Sequence, residues 1–133
     1  MPFRTIALTG FGTRSPLVDE LRRALGGVAG VAASPAEAQV VLHALQDQRE
    51  RSVVATTAAG QVRELQLRVR FTFRVTAANG RELLPAQELL QSRDMSFNET
   101  NVLAKEQEEA QLYRAMQTDI VQQVLRRLSA IPV

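Results

Sequence analysis

The chain has 133 residues, 45% of them hydrophobic and 23% charged, with a formal net charge of only +2. That length and balance fit one ordinary domain over residues 1–133, with room for a core and none for a second domain. There is no cysteine and a single histidine, His43, which excludes disulfides, thiol nucleophiles, cysteine zinc sites and multi-histidine metal sites. No run of about 18 apolar residues occurs, so no helical membrane span is expected.

Met1-Pro2 leads almost directly into strand-like sequence, and no positive-then-apolar leader is present. Any leader or lipid anchor is expected to precede this stretch in the native chain. Phe3–Thr9 reads as a short strand ending at Gly10, followed by the loop Gly10–Arg14. Ser15-Pro16 is a strong helix start, an N-cap serine with proline at the first helical position. Leu17, Val18, Leu21, Ala24 and Leu25 recur at helical spacing, and Gly26-Gly27 ends the helix.

Val28–Ala38 is a Gly/Ala/Ser/Pro-rich connection. Val40–Leu45 resumes as strand, the polar run Gln46–Arg51 interrupts it, and Val53–Thr57 restores it. This reads as one long bent strand, with room for a bulge in its charged middle. Ala58–Gln61 turns the chain into the stretch Leu65–Val75. There Leu65, Leu67, Val69, Phe71, Phe73 and Val75 alternate with Gln66, Arg68, Arg70, Thr72 and Arg74. A strand points alternate side chains to opposite faces, so this one has an apolar face and a basic one. Asn79-Gly80 is a hairpin signal, and a fourth strand is expected from about Leu83 to Phe97, at an edge because of Pro85.

From about Val102 to Leu128 the residues Leu112, Met116, Ile120, Val124 and Leu128 fall at i+4 steps. They make the apolar stripe of a long helix. The expected fold is α+β, a two-layer sandwich in the order β-α-β-β-β-α, with four mixed strands and two helices on one face. A right-handed crossover makes the first two strands parallel, and hairpins make the rest antiparallel. Followed through, those directions gather the Gly10–Arg14 loop, the Ala58–Gln61 turn and the Asn98–Lys105 segment at one end. Arg14, Arg63 and Lys105 are then expected to cluster there.

Chemistry-bearing motifs are few. Gly10-Phe11-Gly12 lacks the third glycine of a dinucleotide loop, where Ser15 stands, and no acidic residue follows at the required place. Phe71 and Phe73 resemble the stacking rings of RNA-recognition sheets, but their phase assigns them to the core. Arg68, Arg70 and Arg74 have two readings: a solvated face that resists aggregation, or a surface for an anionic partner. His43 has no second histidine or matched acid beside it, and Glu106, Glu108 and Glu109 read as charge at a helix start. No catalytic constellation can be assembled, so an enzyme is not expected, and no metal or cofactor is implied.

The segment from Arg93 to Tyr113 (RDMSFNETNVLAKEQEEAQLY) closely resembles the C-terminal half of the LptE family, the lipopolysaccharide-assembly lipoproteins of Gram-negative outer membranes. The features that carry it are Arg93 on the last strand, Phe97 in a polar loop, Leu103-Ala104-Lys105 and the Glu106–Glu109 helix start. The likeness extends back over the central strand and the Asn79-Gly80 hairpin, and more weakly to the first strand and the Ser15-Pro16 helix. It implies a non-enzymatic protein on the periplasmic side of the outer membrane, held by a lipidated N-terminal cysteine that this sequence does not contain. It implies two partners, the LptD β-barrel that the family plugs and lipopolysaccharide itself, and no nucleic acid. Lys105 matches the family's lysine linked to lipopolysaccharide binding. A basic residue in the turn before the central strand has no match at Thr57 or Ala58, so Arg63 stands in for it, with Arg14 expected nearby. Arg68, Arg70, Arg74 and Arg93 are the candidates for a face turned to a partner. The competing reading is a nucleic-acid-binding sheet that uses Arg68, Arg70 and Arg74.

Overall fold

The computed structural model describes residues 1–97 and 101–132. In chain order the elements are β1 (Thr5–Thr9), α1 (Pro16–Gly26), β2 (Gly30–Val31), a 3-10 turn (Pro35–Glu37), β3 (Val40–Thr56), β4 (Val62–Ala77), β5 (Glu82–Ser96) and α2 (Val102–Ser129). The strands form one mixed sheet in the order β2-β1-β3-β4-β5, with β1 parallel to β2 and β3 and the remaining pairs antiparallel. The sheet therefore has five strands, where the sequence led us to expect four. The extra one is a two-residue strand beside β1, inside the Gly/Ala-rich connection. Two residues, one of them glycine, carry no alternation to read.

Both helices lie on one face of the sheet. Leu65, Leu67, Val69, Phe71, Phe73 and Val75 are all buried there against Leu17, Leu21 and Leu25 of α1 and Met116, Ile120, Val124 and Leu128 of α2. The six apolar positions of β4 thus face the helices, as the period-2 pattern requires. In α1, Ser15 caps the helix by accepting from the Val18 N–H, with Pro16 at the first position. β5 is an outer strand, and Pro85 lies in it.

β3 is 17 residues long and changes phase partway. Its ladder with β4 passes from Ala44↔Phe73 to Gln46↔Thr72, leaving Leu45 unpaired in a bulge and more than half exposed. Before the bulge Val40, Leu42 and Ala44 belong to the core under the helices, and Val41 between them is buried as well. After it Asp47, Arg49, Arg51 and Val53 stand opposite Phe71, Val69, Leu67 and Leu65. Residues directly opposite in an antiparallel ladder share a face. Three charged side chains are therefore turned toward the helix layer rather than away from it.

The hairpin at Asn79-Gly80 is not a two-residue turn. Among the described residues no non-glycine residue has positive φ, which excludes the mirror-image turn that Asn-Gly favours. Instead Gly80 N–H donates to Ala77 O and Ala77 N–H to Arg81 O, with Gly80 alone in the left-handed region at φ +89°. Asn79 Oδ1 accepts from Arg81 N–H at 3.0 Å and fixes the turn.

Candidate functional site

β1 ends where Thr9 pairs with His43, but β3 continues to Thr56. The Gly10–Ser15 loop therefore meets the middle of the sheet. Gly10 (φ +87°) lies so close to the bulge that a Cβ on it would sit 2.3 Å from Ala44 O. Phe11 stacks on Phe71, with ring centroids 5.7 Å apart, and Phe71 stacks on Phe73 at 5.3 Å. The Ser15 hydroxyl donates to Asp47 Oδ2 at 2.5 Å. These contacts hold Arg14 beside Asp47 and Arg49, about 20 Å of strand short of the β3–β4 turn.

The expected three-member basic cluster is therefore corrected: Arg14 is not part of it. Arg63 and Lys105 lie at the same far end of the sheet, tied to adjacent residues of β5 and the segment after it. The Arg63 carbonyl accepts from the Phe97 N–H at 2.8 Å, and Lys105 Nζ donates to the neighbouring Ser96 Oγ at 3.2 Å and to Glu108 Oε2 at 3.1 Å. Lys105 is mostly buried and lines a small recess with Arg51, Leu65, Met95, Phe97, Glu106 and Glu109. Of the Asn98–Lys105 segment expected at this end, residues 98–100 lie outside the described residues. Arg14 belongs to a different place, because β1 is too short to carry its loop to this end.

Arg68, Arg70 and Arg74 of β4 occupy the face away from the helices. Glu50, paired with Arg68 across the ladder, reaches both neighbours: Oε2 is 3.1 Å from Arg68 Nε and Oε1 is 3.1 Å from Arg70 Nε. Arg70 Nη1 also meets Glu88 at 2.6 Å. The hydrogen bond and charge of Glu50 hold the Arg70 guanidinium above its ordinary pKa. Arg74 lies opposite His43, whose pKa is lowered by partial burial and then by that guanidinium; its Nε2 is 2.9 Å from Thr76 Oγ1. The face is thus a cross-strand ion network rather than a bare basic stripe.

Arg93 is not part of it. Its partner across the ladder is Leu67, a core position, so Arg93 is on the helix side, where Nη2 donates to Asp119 Oδ2 of α2 at 3.2 Å. The grouping of Arg93 with Arg68, Arg70 and Arg74 is corrected accordingly. The i, i+2 rule works along one strand and does not carry over to the next without the register.

A polar network that the sequence reading missed lies between the helices and the second half of β3. Arg49 Nη2 donates to Gln117 Oε1 at 3.0 Å, and its guanidinium carbon lies 5.0 Å from the centre of the Tyr113 ring. Gln117, 6% exposed, donates in turn to Pro16 O at 3.2 Å and to Glu20 Oε1 at 2.8 Å. Thr118 donates to the other oxygen of Glu20 at 2.9 Å. Tyr113 donates to the Glu50 carbonyl at 2.8 Å, and its pKa is raised by burial and by the Glu109 charge. Beside this network is a cleft of about 420 Å³, lined by Gly12–Leu17, Asp47, Arg49, Val69 and Gln117. Its one sequence signal is the parity of Asp47, Arg49, Arg51 and Val53, visible only once the bulge is located.

Among the described residues, no group of three or more His, Cys, Asp or Glu is arranged to hold a metal ion, and no helix is long and apolar enough to cross a membrane. The LptE lipopolysaccharide-assembly family matches residues 3–128. The chain belongs to the LptE family. That is a family of non-enzymatic lipopolysaccharide-assembly lipoproteins. Solved structures agree with the assignment. Lipoprotein B from Nitrosomonas europaea is 30% identical with a TM-score of 0.84, the match covering 98% of this chain and 84% of that one. Two more distant relatives share the fold. The minor lipoprotein from Acinetobacter baumannii has 22% identity and a TM-score of 0.78, over 98% of this chain and 95% of its own. Rare lipoprotein B from Shewanella oneidensis has 21% identity and a TM-score of 0.78, over 96% and 95%. No match was found among curated proteins. As an LptE-family domain, the chain has a fold and character consistent with a role in lipopolysaccharide assembly at the cell envelope.

Proposed function

We propose that this domain is the plug and support of an LptD-type β-barrel in the outer membrane. On this reading it is lipid-anchored on the periplasmic side in its native form and binds lipopolysaccharide on its way to the cell surface. The observation that carries the reading is the family match over residues 3–128. The local chemistry supports it. Arg63 and Lys105 belong to the same end of a long sheet, Arg63 joined by its backbone to Phe97 and Lys105 by its ammonium to the adjacent Ser96, which offers cations from two elements to an anionic ligand there. Lipid A and inner-core phosphates are dense anions, and ammonium and guanidinium donors form charge-assisted hydrogen bonds with them. Lys105 is already oriented by Ser96 and Glu108, so an incoming phosphate competes with one carboxylate of the same helix.

The test is lipopolysaccharide binding by Lys105→Glu and Arg63→Glu, with circular dichroism to confirm that the fold is kept. Each is expected to weaken binding about tenfold or more, the equivalent of one lost charge-assisted contact. Unchanged affinity in both would remove the site. Co-purification with the barrel tests the partner separately.

A further inference from the structure

We propose that the cleft between the Gly10–Ser15 loop, the second half of β3 and α2 is a binding site for an anionic sugar, a phosphorylated or carboxylated ring. This site is separate from the Lys105 end. Three features define its chemistry. The first is size: about 420 Å³ falls in the range of small-molecule sites and holds one or two sugar rings rather than a protein surface. The second is charge. Arg14 and Arg49 come from different elements and line the same cleft, and none of the described ion pairs includes either. Arg49 uses one nitrogen on Gln117 and is steadied over Tyr113, so its remaining donors are held in place before a ligand arrives. Such a fixed planar fork suits a phosphate or carboxylate.

The third feature is the mixture of groups around those arginines. Asp47 gives one oxygen to the Ser15 hydroxyl and keeps acceptor capacity for a ligand hydroxyl. Pro16 supplies exposed apolar surface for the C–H face of a ring, with the buried Val69 and Leu17 behind it at the floor of the cleft. A bare inorganic anion uses the arginines alone and is repelled by Asp47. An anionic sugar uses all of them.

The ring can belong to the head of a glycolipid or to a free sugar phosphate. In the first case the inference deepens the proposed lipopolysaccharide-binding role and rests on it. The experiment is a ¹⁵N–¹H titration of the whole domain with glucose 6-phosphate, glucose and inorganic phosphate, and then with a phosphorylated core oligosaccharide. Glucose 6-phosphate is expected to shift the amides of Gly12, Arg14, Leu17, Arg49 and Val69 saturably, with at least a tenfold weaker effect from glucose or phosphate. Arg14→Ala, at an exposed loop position, is expected to weaken binding about tenfold with an otherwise unchanged spectrum, and Lys105→Ala to leave it as it was. No saturable shift at these amides, or the same affinity in Arg14→Ala and Arg49→Ala, overturns the site. Tighter binding of the oligosaccharide than of glucose 6-phosphate identifies a glycolipid source, and equal binding a free sugar phosphate. Loss of lipopolysaccharide binding in Lys105→Glu with no shifts in this cleft sinks this inference alone. Shifts here with Lys105→Glu and Arg63→Glu without effect sink the Lys105 site alone.

Discussion

Arg49 of β3 and Gln117 of α2 are joined by a 3.0 Å hydrogen bond, and through Gln117 the strand is tied to both helices at once. Gln117 is buried while Arg49 and Pro16 are exposed and Glu20 is half-buried, so truncating it removes three bonds at once from partners that water can reach only in part through the cleft. Gln117→Ala is expected to cost about 1–3 kcal/mol, read as a lower urea midpoint with unchanged slope. A variant as stable as the parent would show that these bonds only replace bonds to water.

Gly10 and Gly12 are two residues apart and demand opposite outcomes. A Cβ at Gly10 meets the Ala44 carbonyl oxygen at 2.3 Å, in a backbone conformation at φ +87° that side chains resist, whereas a Cβ at Gly12 meets nothing within 4 Å. Gly10→Ala is expected to cost more than about 2 kcal/mol, from left-handed strain and a backbone clash together. Gly12→Ala is expected to be within about 0.5 kcal/mol of the parent. Thermal denaturation of the pair checks this, and equal melting temperatures would contradict the close approach of the loop to the bulge.

Phe73 is fully buried among the helices, and its neighbour Thr72 is on the opposite face, where its hydroxyl donates to Gln46 Oε1 at 3.3 Å. Phe73→Ala is expected to cost about 3–5 kcal/mol and Thr72→Ala less than about 1 kcal/mol. Denaturant titration of both variants measures the phase of β4 directly. A reversal of the two values would mean that the sheet presents its other face to the helices.

That phase was the most legible part of the fold. Six alternating apolar residues in β4 and the i+4 stripe of α2 are long, regular signals, and the elements that carry them begin and end within a few residues of where the periodicity places them. Ser15-Pro16 fixed the start of α1 for the same reason: the cap is local chemistry. What the sequence hid depends on register. Arg93 was misplaced because its face is decided by which residue of β4 it opposes. Arg14 was misplaced because strand direction and length are visible in sequence while the register, which pairs β1 with only the first residues of β3, is a tertiary fact. Arg49 and Asp47 were read as an interruption because one extra residue, Leu45, turns them toward the helices.

His43 gives the domain a pH dependence of known sign. Its pKa is lowered in the folded state by burial and by Arg74, so the unfolded chain binds the proton more readily. The stability it contributes is complete above the unfolded value of about 6.5 and falls as the pH drops below that, levelling off under the folded pKa. Denaturation midpoints of the parent and His43→Gln, measured between about pH 8 and pH 5, are expected to diverge. The parent should lose stability on acidification while the variant loses less. Parallel curves would mean that His43 is solvated alike in both states.

The carboxylate of Glu50 is shared between Arg68 and Arg70, and Glu88 takes a second nitrogen of Arg70. Polyanion binding depends on unpaired positive charge, because each phosphate contact must release a counterion to be favourable. A face on which two of three guanidiniums, those of Arg68 and Arg70, already hold carboxylates offers little of that gain. The parent protein is therefore expected to leave a labelled oligonucleotide unshifted at about 150 mM salt, a concentration that screens exposed charges beyond about 8 Å. Glu50→Gln keeps the hydrogen-bonding shape and removes the charge, leaving Arg68, like Arg74, without a carboxylate among the described residues and Arg70 with Glu88 alone. It is expected to elute from heparin at higher salt than the parent. A salt-resistant shift with the parent would reopen the nucleic-acid reading of this face. Identical heparin elution would mean that the arginines are turned from incoming polyanions by geometry, whatever Glu50 carries.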